Sequence, residues 1–262
     1  MGEVKLTRLS SDTYKLSSPR CRFASFDLCY GYFQTNRGNL MGDNLEKSCL
    51  HLWSYLASWG MLRNSKLLSD CSMKVMEDIV VYLSGLEDSD WDLDLGADSS
   101  GNRDSIKSDR IIEIYDDLSK IIEIISINGA IVGVSATPTL VTKIMLGTLG
   151  CVPALDTYFC KALHTSLRPL DGDLLWKIKE YYNSKPAYTA NTNNKVNIDA
   201  DATTDNDIDT SVHINIDIDT NTKIKVIDFN GKSTDLFYPR AKVLDMIGFS
   251  FGAQLNVANN KS

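Results

Sequence analysis

The sequence predicts an all-α protein, organised as a single helical domain over residues 1–262 with two acidic insertions. Apolar residues recur three or four positions apart in one segment after another, which is the spacing of a helix face. The connections between these segments are short, as in helical globules. A hydrophobic share of 43% and a charged share of 23% also exclude a mostly disordered chain.

Four helices are expected in the first half of the chain. The first presents aromatic residues on one face, and the second is apolar on two sides, which predicts that it is central. Asp43 and Glu46 have the spacing of a capping box before the second helix. The four helices are predicted near residues 23–33, 45–62, 66–86 and 111–125.

Four more helices are expected in the second half. Thr137 and Pro138 open one of them, as N-cap residue and first-turn proline, and this helix ends near Gly150. The others are predicted to begin near Asp156, to cover residues 174–182 and to begin at Pro239.

Two segments interrupt the helical pattern. Residues 87–104 (EDSDWDLDLGADSSGNRD) are acidic and predict a surface loop. Residues 189–222 are of low complexity, and their alternating HINIDID stretch is compatible with a short β-hairpin. The EF-hand-like spacing of three aspartates there does not predict calcium, because the loop positions that need Gly and Glu hold Thr210 and Ile216.

The distribution of charge matters more than its sum. A net charge of −7 argues against a nucleic-acid partner, since phosphate binding depends on Lys and Arg. Each acidic segment, however, holds seven acids and one base, while the rest of the chain holds 25 bases and 20 acids. The remaining body is therefore basic, and we expect both acidic segments to lie away from any DNA-facing side.

The N-terminus and the cysteines predict a cytoplasmic protein. The first residues form no apolar stretch, and no run is long enough for a membrane span. Six scattered cysteines without an export signal predict buried, reduced thiols. With no CxxC pair and three distant histidines, we expect no metal and no cofactor. No obligate protein partner is inferred.

Residues 128–163 (NGAIVGVSATPTLVTKIMLGTLGCVPALDTYFCKAL) carry the chemistry that the sequence predicts. A turn at Val132–Ser135 joins two helices, and amides at such a helix start suit a phosphate. Asp156 begins a third helix, so a carboxylate is expected near a phosphate-binding hairpin. Taken singly, an N-cap aspartate and a turn glycine have ordinary structural explanations.

This segment resembles the helix–hairpin–helix DNA glycosylases. Residues 131–137 fall on the family's hairpin, L-P-G-V-G-x-K, and residues 152–156 fall on its aspartate segment. The run DTYFCK after the hairpin is similar to the family's D-T-H-x-F-R, and Asp156 follows Ser135 by 21 residues, as in the family. The resemblance implies a helical enzyme that hydrolyses the N-glycosidic bond of a modified base extruded from DNA.

The resemblance also assigns roles to residues. Asp156 would be catalytic, stabilising the sugar cation and orienting water. Ser135 replaces the second hairpin glycine, and Thr137 replaces the nucleophilic lysine of bifunctional members, which implies an enzyme without lyase activity. The residues expected at the DNA are Gly133, Val134, Ser135, Thr137, Lys143 and Lys161, with Arg168, Lys177 and Lys179 as further basic residues.

A base pocket is expected around the end of the second helix. Trp53 or Trp59 would stack on the base, with Met61 beside them. Arg63 or Asn64 would form hydrogen bonds to it. A core helix with a capping arginine is the structural alternative. Residues 238–245 are also expected to border the pocket, together with Phe26 and Asp27.

Three stretches, YLASWGMLRNS, TPTLVTKIMLGTLGCVPALD and YPRAKVLDM, are similar to a bacterial group within the superfamily. That group includes a phage-defence glycosylase that removes glucosylated hydroxymethylcytosine from viral DNA. The similarity implies a bulky modified base in foreign DNA as the substrate. A catalytically silent DNA-binding or interaction module, and an unrelated helical toxin or scaffold, remain as alternatives.

Overall fold

The protein is mainly helical, as predicted. The computed structural model describes residues 18–61, 70–95, 106–127, 130–184, 187–188, 218–219 and 223–259. Within these ranges the chain forms nine α-helices, two short 3-10 helices and three antiparallel strand pairs. None of the helices there is long and apolar enough to cross a membrane.

The helices follow one another along the whole described chain. They are α1 (Ala24–Asn36), α2 (Leu45–Ser58), α3 (Glu77–Ser84), α4 (Asp88–Trp91), α5 (Ile106–Ile124), α6 (Pro138–Thr148), α7 (Thr157–Ala162), α8 (Gly172–Asn183) and α9 (Arg240–Asn259). The 3-10 helices are Gly42–Asn44 and Met73–Met76. One apolar core extends from Phe26 to Leu244 and contains residues of most of these helices.

The most completely buried helix in the described chain is α6. The helix α2, which was predicted to be central, contacts α1, α3 and α6. Every residue of α6 from Leu140 to Thr148 is buried, and the helix contacts α1, α2 and α5. On α2, by contrast, the second apolar side reaches solvent, where Leu50 is 48% exposed. An apolar second stripe does not require burial, because much of a folded protein's surface is apolar.

The last helix lies directly on α7 because α9 offers it two glycines one turn apart. A Cβ atom at Gly248 would overlap the ring of Phe159, and one at Gly252 would overlap the backbone of Tyr158. Small residues at this spacing let helix backbones approach closely. This contact fixes the position of α7, and with it the position of Asp156.

The three strand pairs were only partly predicted. Strands β1 (Ser126–Ile127) and β2 (Ala130–Ile131) form a pair between α5 and α6. The first helix therefore does not pass straight into the Val132–Ser135 turn. The strand pair is continued toward α5 by the bond from the Val132 amide to the Ile125 carbonyl, 2.9 Å long.

The C-terminal strand pair has no counterpart in the predictions. Strands β5 (Lys225–Ile227) and β6 (Ser233–Phe237) are joined by a turn in which one carboxylate oxygen of Asp228 accepts the amides of Asn230 and Lys232. Asp228 therefore organises this turn locally, in the manner of an Asx turn.

The low-complexity segment is closed by a short strand pair at its base. Strand β3 (Ala187–Tyr188) pairs with β4 (Ile218–Asp219), so the end of the HINIDID stretch pairs with residues outside the segment rather than within it. Residues 189–217, including the three aspartates at EF-hand spacing, lie outside the described residues.

The first acidic segment, residues 87–104, was predicted to be a surface loop, but its described part is more ordered than that. Its beginning forms α4, with a reciprocal capping box between Glu87 and Asp90, and Trp91 is buried in the core. Arg110 holds Asp90 by two hydrogen bonds of 2.8 and 2.9 Å. This bidentate pairing lets one acid of the segment be buried. Residues 96–104 lie outside the described residues.

Two predictions in the first half of the chain were wrong in detail. Asp43 and Glu46 do not form a capping box, because residues 42–44 make a 3-10 turn and Asn44 occupies the cap position without a side-chain cap bond. The helix predicted at 66–86 is regular only over α3, since Ser72 caps a 3-10 helix in front of it. Residues 62–69 lie outside the described part of the chain.

Candidate active site

The first part of the candidate site is the hairpin turn at Val132–Ser135, directly before α6. Gly133 has a φ of +66°, which favours glycine, and it is exposed together with Ser135. Val134 between them is buried and anchors the turn. The Thr137 hydroxyl caps α6 by accepting the Leu140 amide at 3.3 Å, and Pro138 opens the helix, as predicted. The hairpin therefore presents backbone at the surface directly before a buried helix.

The chain after α6 is tied back along the same helix. The Thr139 hydroxyl donates to the Leu155 carbonyl at 2.7 Å, and the Thr142 hydroxyl accepts the Leu155 amide at 2.9 Å. Gly150, with a φ of +71°, makes the turn where any Cβ would meet Tyr30 and Pro239. These contacts bring residue 156 close to α6.

Asp156 caps α7 and lines a cavity. Its Oδ1 accepts the Phe159 amide at 2.8 Å, which is the N-cap bond that the sequence predicts. Burial is the main cause that raises the pKa of Asp156 to about 6, and the nearby negative charge of Asp245 adds to it. Backbone hydrogen bonds and the positive charge of Lys143 lower this pKa in part. In the described part of the chain no side chain donates a hydrogen bond to Asp156.

The cavity has aromatic walls and a charged interior. About 760 Å³ of space unfilled by atoms lies within it, part of this at its open mouth. The aromatic lining consists of Phe23, Tyr55, Trp59, Tyr238 and Phe249. The charged lining consists of Lys143, Asp156, Lys242 and Asp245.

Lys242 and Asp245 form a buried ion pair on α9, with Nζ and Oδ2 3.0 Å apart. The other oxygen of Asp245 accepts the Ala154 amide at 3.1 Å, so this pair also holds the chain in front of Asp156. The Lys242 ammonium lies 4.9 Å from the ring centre of Phe26 and 5.0 Å from that of Trp59. The charge of Lys242 is thus compensated within the protein.

Lys143 and Trp59 meet on the other side of the charged lining. The Lys143 ammonium donates to the Trp59 carbonyl at 3.3 Å and lies 5.3 Å from the ring centre. Lys143 is 7% exposed, and burial lowers its pKa from the ordinary value. The indole N–H of Trp59 is buried and finds no hydrogen-bond partner among the described residues.

Of the residues predicted for the pocket and the DNA contact, Asp156, Trp59 and Lys143 come together in the cavity. Tyr238 and Asp245, from the predicted bordering segment, line it as well. Lys143 was expected near the DNA backbone, and the structure places it inside the cavity instead. Phe26 lies one layer behind, under Lys242. Lys161 is half-buried in the last turn of α7.

The remaining predicted residues lie elsewhere. Trp53 and Met61 are half-buried against the core and do not line the cavity. Asp27 is buried and accepts the Tyr238 hydroxyl at 2.6 Å and the Ile227 amide at 2.9 Å, so it anchors β5 and the chain after β6 to α1. Arg63 lies outside the described residues.

Three of the further basic residues are engaged with the protein. Arg168 pairs with Asp171, and Lys177 donates to the His164 carbonyl at 3.2 Å. Lys179 is buried and donates to the Ser108 hydroxyl at 2.7 Å. These contacts are intramolecular and direct the three basic groups toward protein atoms.

Sequence reasoning included Lys242 only as part of the bordering segment 238–245 and gave it no role of its own. A usable signal was present, because Lys242 and Asp245 stand three residues apart within a run whose neighbours Ala241, Val243 and Leu244 are buried. A charged pair inside an apolar helical run predicts a compensated, buried pair. Tyr55 and Phe249 resemble ordinary core residues in the sequence.

The described residues contain no cluster of three or more His, Cys, Asp or Glu side chains suited to a metal ion. Four of the six cysteines, Cys29, Cys49, Cys151 and Cys160, are buried free thiols. Comparison with family models, with curated proteins and with solved structures gave no match. The functional interpretation therefore depends on the residues of the cavity and the hairpin.

Proposed function

We propose that the protein is a monofunctional DNA glycosylase of the helix–hairpin–helix type. It hydrolyses the N-glycosidic bond of an extruded, modified base and leaves an abasic site. One observation carries the proposal: Asp156, the residue to which the resemblance assigns catalysis, lines an aromatic cavity while it caps α7 with only one of its oxygens. An aspartate that served only as a helix cap would not require such a cavity.

The chemistry suits this carboxylate. When a base leaves, positive charge develops on the sugar, and an ionised carboxylate beside it stabilises that charge. The pKa of Asp156, about 6, leaves the group ionised at neutral pH. The same carboxylate takes the proton of the attacking water, and no cofactor is required.

The cavity suits an extruded base. Trp59, Tyr55 and Phe249 supply flat apolar surface on which a base stacks. The Lys143 ammonium supplies a donor for polar atoms of the base. Following the resemblance, the base is a bulky modified cytosine, such as glucosylated hydroxymethylcytosine in phage DNA.

The hairpin suits the DNA backbone. Gly133 and Ser135 are exposed immediately before α6, where outward-pointing amides and the helix dipole favour a phosphate. Thr137 provides no amine, and its hydroxyl is already engaged as the cap of α6. Without an amine at this position, we expect hydrolysis without Schiff-base chemistry there.

The test compares three DNA duplexes: one with glucosylated 5-hydroxymethylcytosine at a single position, one with unmodified cytosine there, and one from modified phage DNA. After incubation, alkali converts abasic sites to strand breaks, which are counted by electrophoresis. We expect breaks only in modified DNA, and their loss in Asp156→Asn. Asp171→Asn is the matched control, because Asp171 caps α8 in the same way, with Oδ1 2.8 Å from the Leu174 nitrogen, but lies outside the cavity.

Each other result supports a different function. Binding of DNA without abasic sites supports the catalytically silent DNA-binding module. A protein that neither binds nor cleaves any of the three duplexes supports the unrelated helical toxin or scaffold. Equal loss of activity in Asp156→Asn and Asp171→Asn would show that helix capping, rather than chemistry, explains the effect.

A further inference from the structure

Among the charged side chains that the structure describes, Lys143 has an unusual environment. It is buried in the middle of α6, whose residues from Leu140 to Thr148 are all buried, and it lines the cavity. Its only hydrogen bond to a described residue goes to the Trp59 carbonyl, and no described carboxylate forms an ion pair with it. A buried ammonium with one hydrogen bond retains unused donors.

The other two buried lysines of the described chain, Lys179 and Lys242, have stronger polar partners. Lys242 has a carboxylate partner at 3.0 Å, and Lys179 donates to the Ser108 hydroxyl at 2.7 Å and has further interactions. Burying a cation without a partner destabilises a protein strongly. Lys143 is therefore the one of these three whose compensation within the described residues is incomplete, and it is the one that shares its cavity with Asp156.

The pairing of groups in the cavity indicates which ligand completes it. Lys143 and Asp156 are close enough for each to influence the ionisation of the other. A ligand that becomes positive beside Asp156 and negative beside Lys143 would be stabilised by both groups. Breaking a glycosidic bond does this, because the sugar becomes cationic while the bond's electron pair moves to the base.

We propose that Lys143 is the acid that assists departure of the base, by contacting an acceptor atom on the edge of the base. This inference rests on the proposed glycosylase function and adds a second catalytic residue to it. Trp59, whose carbonyl accepts the hydrogen bond from Lys143, lines the same cavity.

The step balances without a co-reactant. The bond between C1′ and the base nitrogen breaks, and its electron pair goes to the base, which takes a proton from Lys143. Water adds its oxygen to C1′ and gives a proton to Asp156. Transfer of that proton from Asp156 to Lys143, directly or through water, restores both groups. The products are the free base and an abasic site.

The charged groups around Lys143 define its pH behaviour. Asp156 and Asp245 favour its ammonium form, while burial, Lys242 and Arg22 favour the neutral amine, and burial dominates. Activity requires Asp156 ionised and Lys143 protonated. The rate should therefore rise with pH through about 6 and fall again below the ordinary lysine pKa.

The test uses Lys143→Met, which keeps the length and apolar character of the side chain, and Lys179→Met as the matched buried control. Single-turnover release of the base is measured on the glucosylated hydroxymethylcytosine duplex, together with the thermal unfolding midpoint of each variant. We expect Lys143→Met to be about 100-fold slower or more, with an unchanged or higher unfolding midpoint. The residual activity should lose its alkaline decline. Lys179→Met should keep its rate and unfold at lower temperature.

Other results would overturn the proposal. A wild-type rate together with a lower unfolding midpoint in Lys143→Met would make Lys143 a structural residue. Trapping of Lys143 on the DNA by borohydride would make it a nucleophile rather than an acid. Lys143 would be a binding group only if Lys143→Met lost affinity for a duplex with the non-hydrolysable 2′-fluoroarabino nucleotide by the same factor as it lost rate.

The two proposals fail in different ways. If the wild-type protein releases no base from any duplex, the glycosylase function fails and Lys143 loses its role with it. If Asp156→Asn is inactive but Lys143→Met retains the wild-type rate, the function stands and only the assignment of Lys143 fails.

Discussion

Asp27 on α1 and Asp156 at the start of α7 are two carboxylates whose pKa is raised by burial and whose surroundings differ. Burial raises the pKa of each to about 6. Both oxygens of Asp27 are engaged, one by the Ile227 amide and the other by the Tyr238 hydroxyl. Asp156, half-buried at the cavity, engages Oδ1 with the Phe159 amide and receives no hydrogen bond from a described side chain.

The comparison teaches that a raised pKa does not by itself identify a catalytic group. In Asp27 the carboxylate connects α1 to β5 and to the chain after β6, and each of its oxygens accepts a hydrogen bond from the protein. In Asp156 part of the carboxylate remains available to a ligand in the cavity. Access to the lone pairs, rather than acidity, distinguishes a candidate for chemistry from a structural anchor.

The largest effect expected is on activity. Asp156→Asn should lower single-turnover base release by about 10³-fold or more, since the amide cannot stabilise a sugar cation. Asp27→Asn should lower it by less than about tenfold, because the amide oxygen still accepts the Ile227 amide and only the Tyr238 contact is rearranged. A similar loss in both variants would mean that Asp27 acts in the cavity and that the distinction is wrong.

The second-largest effect expected is on stability, and here the loss is larger for substitution of Asp27 than for substitution of Asp156. Asp27→Ala leaves the Ile227 amide and the Tyr238 hydroxyl without their acceptor, and should lower the free energy of unfolding by about 3 kcal/mol. Asp156→Ala loses one helix cap, which costs about 1 kcal/mol, and also removes a poorly compensated charge. Urea unfolding of both variants at neutral pH measures the difference. Equal losses would contradict the structural role given to Asp27.

A third effect tests how Asp156 is held in place. Gly248→Ala puts a methyl group into the ring of Phe159 at the contact between α9 and α7, and should destabilise the protein by about 2 kcal/mol. It should also lower activity, because α7 carries Asp156 at its start. Gly38→Ala is the control, since nothing lies within 4 Å of a Cβ there. If both variants unfold alike in urea, the close approach of the two helices is not required.

Local signals predicted the parts of the site that depend on neighbouring residues in the chain. Thr137 and Pro138 cap α6, and Asp156 caps α7, because a cap requires only a short side chain at the right position. The mainly helical architecture followed from the spacing of apolar residues in the same way. These signals extend over one or two turns, which is the range that a single sequence displays.

The rest depends on contacts between distant parts of the chain. Asp27 meets Ile227 and Tyr238 about 200 positions later, and nothing in its local pattern indicates this. Lys143 looked like a surface cation, because a lysine is rarely buried, and only the packing of α6 against α1, α2 and α5 places it in the cavity. Trp91 was assigned to a loop because the acids around it concealed its burial.

The smallest effect expected is the pH dependence of stability, and it separates the two carboxylates once more. The pKa of Asp156 is about 6 in the folded protein, against an ordinary value of 3.8. Between these values the folded state binds more protons than the unfolded chain, so stability falls as pH rises through this window. The loss of stability caused by ionised Asp156 is complete above about pH 6 and absent below about pH 4.

Asp156→Asn should therefore be more stable than the wild type by about 1 kcal/mol at pH 8, a value reduced because Asp156 is half-buried rather than buried. The gain should vanish near pH 4, where both side chains are neutral and both cap α7. Asp27→Asn has the same window, but the mismatch with the Tyr238 hydroxyl offsets its gain. Urea unfolding at pH 4, 6 and 8 measures both series. A gain for Asp27→Asn that equals the gain for Asp156→Asn would show that the two carboxylates are equally uncompensated.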